Sequence, residues 1–251
     1  MDPIETCDLV IFVATESELD ALDAVADDFE IPVVVRDGPL GEYRWLGTVG
    51  HTRVLAARTA MGALDFRGSG SRAVHYVAAT QATGVLSLGM AFGCDRQNQN
   101  LGDVLVGTQL VPYDNRDVRL VAGQITTSYG RVKRRRAKKS LVRLMANHAQ
   151  RQNAIKAHFG ALLSGAARIH CAAFRDQLRD CVPQEGDPII GGEMEGVGLL
   201  AASDPAEPNW LVVKGISDFG DEDRDNAIEG SRGPACLAAA RFVLGALAEQ
   251  P

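Results

Sequence analysis

The sequence predicts an α/β fold, a mixed sheet with helices on both faces, and three observations carry that prediction. Short runs rich in Val, Ile and Leu alternate along the chain with segments whose apolar residues recur at helical spacing. Within 210–216, Leu211, Val212 and Val213 are apolar on successive residues, as in a strand covered on both sides. With 251 residues, 46% of them apolar and 23% charged, the chain can build one large core, so a single domain over 1–251 is expected.

Taken in order, DLVIFVA (8–14) is the first strand. ESELDALDAVADDF (16–29) follows as a helix, with Leu19, Leu22, Val25 and Ala26 on one face and acids near its start, where the helix dipole favours them. VVVR (33–36), YRWLGTV (43–49) and TRVLAART (52–59) form a meander of strands ending near Met61 and Gly62. SRAVHYVAATQA (71–82) is a helix leading to the strand GVLSLGM (84–90). The glycines of GSGSRA (68–73) lack the third glycine and preceding strand of a dinucleotide fingerprint, so they read as a helix start. DVLVGTQLV (103–111) is a strand, and AKKSLVRLMANHAQRQ (137–152) a helix with Leu141, Leu144, Met145 and His148 in register. AHFGALLSG (157–165) is a strand, AAFRDQLRDCV (172–182) a helix, and GEMEGVGLLAA (192–202) is expected to be helical too. After the strand at 210–216, ACLAAARFVLGALAE (235–249) is the last helix.

Several function classes are disfavoured. No stretch approaches the ~18–20 consecutive apolar residues of a membrane span, and Asp2, Glu5 and Asp8 do not suit a secretory leader, so a cytoplasmic protein with no membrane partner is expected. Five scattered cysteines with no CxxC pair, and five histidines with no HExxH, point to reduced thiols and to no metal or other cofactor. Net charge is −6, but RVKRRRAKK (131–139) holds seven cations and no acid, which leaves −13 on the rest. An acidic body argues against a nucleic-acid partner.

Sheets of this class bind ligands at the carboxyl ends of their strands. Glu18, the Gly89–Gly93 stretch and Asp218 all fall there. Two carboxylates across one site can divide acid and base roles if their surroundings push their pKa values apart. Taken alone, these residues also fit a plainer reading, with Glu18 a solvated helix-start acid and Asp218 a turn or cap residue.

The order of motifs changes that balance. FVATESELDAL, LGMAFG followed by LGDVLVGTQ, LLSG, GGEMEGVGLL and VVKGISDFGD occur in an order and at spacings that resemble the nucleoside phosphorylase and nucleosidase superfamily, over nearly the whole chain. The resemblance implies that superfamily's three-layer fold, a central twisted mixed sheet between helices, and a small-molecule purine nucleoside or nucleotide as partner, with a homodimer or higher homo-oligomer as the assembly. It implies that Glu195 holds the ribose hydroxyls while Met194 packs on the sugar. Asp218, with Ser217 beside it, protonates or hydrogen-bonds purine N7, Glu18 activates water, and the backbone near Ile169 reads the adenine edge. Glu193 is expected as a surface or supporting acid. Gly89, Met90 and Phe92 belong to the substrate-side loop, where GMAFG is bulkier than the glycine-rich form usual in the superfamily. Lys214 stands where an arginine is often found, which reads as a structural exchange.

Because ATESE follows the first strand in place of the GDP-and-arginine signature of phosphorylases, hydrolysis is favoured over phosphorolysis. An effector that depletes nucleotides such as ATP, or a non-catalytic nucleoside sensor, is the alternative from a different class. The basic run could bring Arg134, Arg135 and Arg136 to a 5′-phosphate, from a neighbouring subunit, or could be a solvated surface loop.

Overall fold

In the computed structural model, which describes residues 3–250, the first strand, β1 (Leu9–Val13), is buried throughout. Thr15 caps the helix that follows, α1 (Glu16–Asp28). Its hydroxyl accepts the Glu18 amide, and the Glu18 carboxylate accepts the amide of Thr15. This capping box fixes both where α1 begins and where the Glu18 side chain lies. The meander is β2 (Val34–Gly38), β3 (Gly41–Val49) and β4 (Thr52–Arg58), followed by α2 (Ser69–Thr80). Next come β5 (Gly84–Gly93), β6 (Val104–Pro112), a hairpin of β7 (Asp117–Val121) and β8 (Gln124–Ser128), the short β9 (Arg135–Arg136) and α3 (Lys139–Arg151). The chain continues through β10 (Ala157–Ser164), α4 (Ala172–Cys181), β11 (Ile189–Glu193) and α5 (Gly196–Leu199), which runs into a 3-10 turn at Leu200–Ala202. It ends with β12 (Trp210–Asp218) and α6 (Arg224–Ala248).

The sheet order is β11-β10-β6-β12-β5-β1-β4-β3-β2, with β9 alongside β6. Its core pairs (β4–β1, β1–β5, β5–β12, β6–β10 and β10–β11) are parallel, whereas β12–β6 and the meander are antiparallel, so the sheet is mixed. Phe92 and Gly93 of β5 also pair with Gly192 and Gly191 of β11, antiparallel. Five strands therefore close on one another, and the end of β5 meets the end of β11. Helices α1, α3 and α6 pack together, with α6 against β12 and β5; α2 lies against α5 and β1.

Three elements differ from expectation. Gly192 and Glu193, the first two residues of the stretch expected to be helical, instead end a strand that begins at Ile189, and only 196–202 coils. The glycines explain it: a Cβ on Gly192 would come 2.3 Å from the Phe92 ring and one on Gly191 2.3 Å from the Phe92 carbonyl, so only glycine lets β5 and β11 approach. The last helix starts eleven residues earlier than its apolar periodicity suggested, at Arg224, and runs through Pro234. Gly230, Gly233 and Pro234 all lie on its exposed side, where solvent can satisfy the carbonyl that proline leaves free. The β7–β8 hairpin was not foreseen. Ala122 (φ 51°) and Gly123 (φ 80°) form its two-residue turn, both in the positive-φ region that matches the twist of a hairpin.

Candidate active site

One cavity of about 170 Å3 opens where β1, β4, β5, β10, β11 and β12 release the chain. The structure brings Glu18, Met90, Phe92, Ile169, Met194, Glu195, Ser217 and Asp218 to its wall. Gly89 stands just behind that wall, and Arg134, Arg135 and Arg136 are elsewhere.

Glu18 is buried, and its carboxylate is held by three backbone amides: Oε2 accepts Ala14 (2.7 Å) and Thr15 (2.9 Å), and Oε1 accepts Met90 (2.9 Å). The capping box thus doubles as a clamp that aims a carboxylate across from β1 to β5. Gly89 makes room for it: at φ +147°, a Cβ there would lie 1.8 Å from Glu18 Oε1. A carboxylate offers about four lone-pair sites, so three amides leave room for one further donor.

Asp218, at the carboxyl end of β12, is 3% exposed. Its Oδ1 accepts the Gly220 amide (2.8 Å), Ser217 Oγ lies 2.9 Å from Oδ2, and Arg224 Nε is 3.7 Å away. Burial pushes its pKa up, against the lowering pull of Gly220, Ser217 and Arg224. Ser217 Oγ also lies 3.3 Å from the Ala91 carbonyl. The hydroxyl has one proton for these two acceptors, and where it donates to Asp218 it favours the charged carboxylate that burial opposes.

Glu195 leaves β11 through Met194 and is fixed on both oxygens. Oε1 accepts the Gly62 amide (3.0 Å) from the loop after β4, and Oε2 accepts Lys214 Nζ (3.1 Å). Lys214 is completely buried and also reaches the Leu88 carbonyl (3.4 Å). Burial lowers its pKa, but the charges of Glu195, Glu18 and Glu193 more than offset that, and the net shift is upward. It is the counter-ion of three carboxyl groups, a larger part than a structural exchange for arginine. Glu193 is not a surface acid. It is buried, its Oε2 accepts the Glu195 and Gly196 amides (2.8 and 2.7 Å), and burial raises its pKa, opposed by Lys214 and reinforced by Glu195. This carboxyl shapes the turn that presents Glu195.

The basic run is separate. Arg134 Nε donates to the Pro183 carbonyl (2.9 Å), and its Nη1 reaches Gln109 and the Asp187 carbonyl. Arg135 and Arg136 pair with Leu110 and Gln109 as β9. All three line a different cleft, beside Trp210 and Pro205, with no residue in common with the Glu18–Asp218 cavity. Within the chain Arg134 thus braces the 183–187 segment, whereas Arg135 and Arg136 pair through their backbones and are exposed.

Sequence reasoning missed Thr15, Met61, Arg168, Arg224, Ile228 and Arg232, which also face the cavity. Arg224, Ile228 and Arg232 follow i, i+4, i+8 spacing, a signal hidden because α6 was not expected to start before 235. Among the described residues no helix is long and apolar enough to cross a membrane.

Residues 8–248 match the model of the phosphorylase superfamily. The chain is 26% identical over 182 residues to a death domain-containing ATP nucleosidase of Amphimedon queenslandica, a match over 64% of this chain but only 32% of that protein. In fold the chain is similar to a 5′-methylthioadenosine/S-adenosylhomocysteine nucleosidase of Neisseria meningitidis (TM-score 0.76, 18% identity, 98% of this chain and 100% of the other). A futalosine hydrolase of Helicobacter pylori is similarly related (TM-score 0.76, 20% identity, 96% and 97% covered).

Proposed function

Because the chain belongs to the phosphorylase superfamily, we propose that it hydrolyses the N-glycosidic bond of purine nucleosides or their 5′-derivatives, releasing the free base. The observation that carries this reading is the pair of carboxyl groups on one cavity wall in different surroundings. Glu18 is clamped by three amides, whereas Asp218 accepts one amide and the Ser217 hydroxyl and has its pKa raised by burial.

The chemistry follows from that difference. Breaking the C1′–N9 bond leaves positive charge on the sugar and negative charge on the base. Asp218 supplies its proton to purine N7, so the base departs neutral. Glu195 accepts from the ribose hydroxyls, placing C1′ and countering its developing charge, with Met194 against the sugar. The backbone at Ile169 reads the adenine edge. On the other face of the ribose, the vacant acceptor capacity of Glu18 orients a water, takes its proton as the O–C1′ bond forms, and leaves a 1-hydroxyl sugar. A fixed carboxylate at the nucleophile position repels inorganic phosphate, which favours hydrolysis over phosphorolysis. The names of the relatives, a nucleosidase and a hydrolase among the folds and an ATP nucleosidase in sequence, point the same way and toward adenine.

The test is chromatographic detection of free base from adenosine, inosine, methylthioadenosine, AMP and ATP, with and without inorganic phosphate. Base release without phosphate, reduced at least about a hundredfold by Glu18→Gln, is the expected result. Binding of adenosine with no base release from any of the five would mean a sensor, and an absolute need for phosphate would mean a phosphorylase.

A further inference from the structure

The cavity carries cations of its own, independent of the basic run: Arg168, Arg224 and Arg232 line it together with four carboxyl groups. They are not equivalent. Arg224 is already engaged, with Asp218 at 3.7 Å, Asp225 at 3.5 Å and His170 at 3.5 Å. Arg168 touches the Met61 sulfur (3.1 Å), a neutral thioether that leaves the guanidinium charge unbalanced. The exposed Arg232 side chain has no hydrogen bond or ion pair among the described residues.

Position adds to this. Arg224 and Arg232 are eight residues apart on one face of α6, roughly 12 Å at the helical rise of about 1.5 Å per residue. As it proceeds, α6 runs back along β12: Ser231 donates to the Ser217 carbonyl, and the Ala235 backbone sits over Gly215, where a Cβ would come 2.0 Å from the Ala235 oxygen. α6 also packs on α1. Arg224 thus marks the Asp218 end, and Arg232 enters two turns further along, past the base-handling group.

We propose that Arg168 and Arg232 hold a phosphate group on the 5′ carbon of the substrate, which makes the substrate class a purine nucleoside 5′-phosphate or polyphosphate. This rests on the glycosidase reading above and deepens it. Glu18, Glu193, Glu195 and Asp218 would repel such a ligand if all were charged. Lys214 offsets part of that field, as does the burial of Asp218, which disfavours its charged form, and two guanidinium groups without an ion pair reverse its sign locally where the phosphate arrives. Guanidinium forks suit phosphate oxygens in bidentate pairs, whereas a thioether or a bare 5′-hydroxyl would leave both cations unused. The same chemistry could serve inorganic phosphate as a nucleophile, so the experiment separates the two sources.

Base release would be measured for ATP, AMP and adenosine, each with and without inorganic phosphate, using the intact chain, Arg232→Ser, Arg168→Ser and the double variant. We expect the parent to cleave nucleotides without added phosphate. The ratio of kcat/KM for ATP to that for adenosine should fall about tenfold or more in each single variant and further in the double, an effect of the size expected for a lost charge-assisted contact. High salt should lower the parent's ratio in the same direction. An equal loss on all three substrates, a parent that cleaves adenosine but neither nucleotide, or phosphate-dependent cleavage that the double variant abolishes would each overturn the proposal while leaving a glycosidase in place. If nothing is cleaved, the glycosidase reading fails, and thermal shift decides the phosphate site: a rise in Tm with ATP that the double variant loses sustains it, and equal shifts overturn it.

Discussion

Gly89→Ala is the sharpest test of the Glu18 clamp. An alanine Cβ would sit 1.8 Å from Glu18 Oε1 and 2.3 Å from Cδ, where an ordinary contact needs more than about 3 Å. The carboxylate must therefore retreat by roughly 1.2 Å or more, which takes its 2.9 Å bond to the Met90 amide out of hydrogen-bond range and disturbs the pair to Ala14 and Thr15. One lost charge-assisted bond costs about 1.5–3 kcal/mol, and the positive φ adds about 1–2 kcal/mol of strain. A displacement of about 1 Å in a positioning group lowers turnover on the order of a hundredfold. The expected result is a Tm drop of several degrees and a kcat about a hundredfold lower at saturating nucleoside, followed by base release. Gly47→Ala, also at positive φ (+67°) but with nothing within 4 Å of the added carbon, separates strain from displacement: it should cost stability and spare kcat. A Gly89→Ala enzyme with kcat within about threefold of the parent would refute the placement of Glu18 in the reaction.

Asp218→Asn should lower kcat at least about a hundredfold, and the parent's rate should decline as pH rises through the raised pKa of Asp218, measured as a kcat/pH profile. A carboxyl whose folded pKa is raised stabilises the fold below its unfolded pKa and loses that contribution as pH rises through the folded value. The Asn variant should therefore gain in Tm relative to the parent across that window. Lys214→Met strands three buried carboxyl groups and should cost about 3–5 kcal/mol by urea unfolding; adding Glu195→Gln should restore part of it, and additive losses would mean the pair is not coupled. Glu195→Gln should reduce kcat/KM for ribosides more than for 2′-deoxyribosides, since one of its two proposed partners is missing from the latter; equal losses would make it purely structural. Arg134→Ala should lower Tm by loosening the 183–187 segment, with no change in the ATP-to-adenosine ratio; a changed ratio would restore the basic run to substrate binding.

Much of the site was legible in the linear pattern because its chemistry is local. Glu18 sits in the first turn after a strand, Asp218 ends a strand, and Glu195 follows two glycines, so periodicity and motif order reach them without coordinates. Composition and alternation likewise determined an α/β sheet with helices on both faces. What only the tertiary structure decided is how distant pieces act on one another. Gly192 and Glu193 end a strand rather than begin a helix because Gly191 and Gly192 admit Phe92 from β5, a fit between segments about a hundred residues apart. The early start of α6 depends on its breakers facing solvent, which no local window records. Lys214 gained its role from carboxyl groups on separate elements, and Arg134 of the conspicuous basic run was taken up by carbonyls while three dispersed arginines reached the cavity. Charge along a sequence reports how many cations a chain has; where their fields act depends on burial and on the distances to their counter-charges, and folding alone sets those.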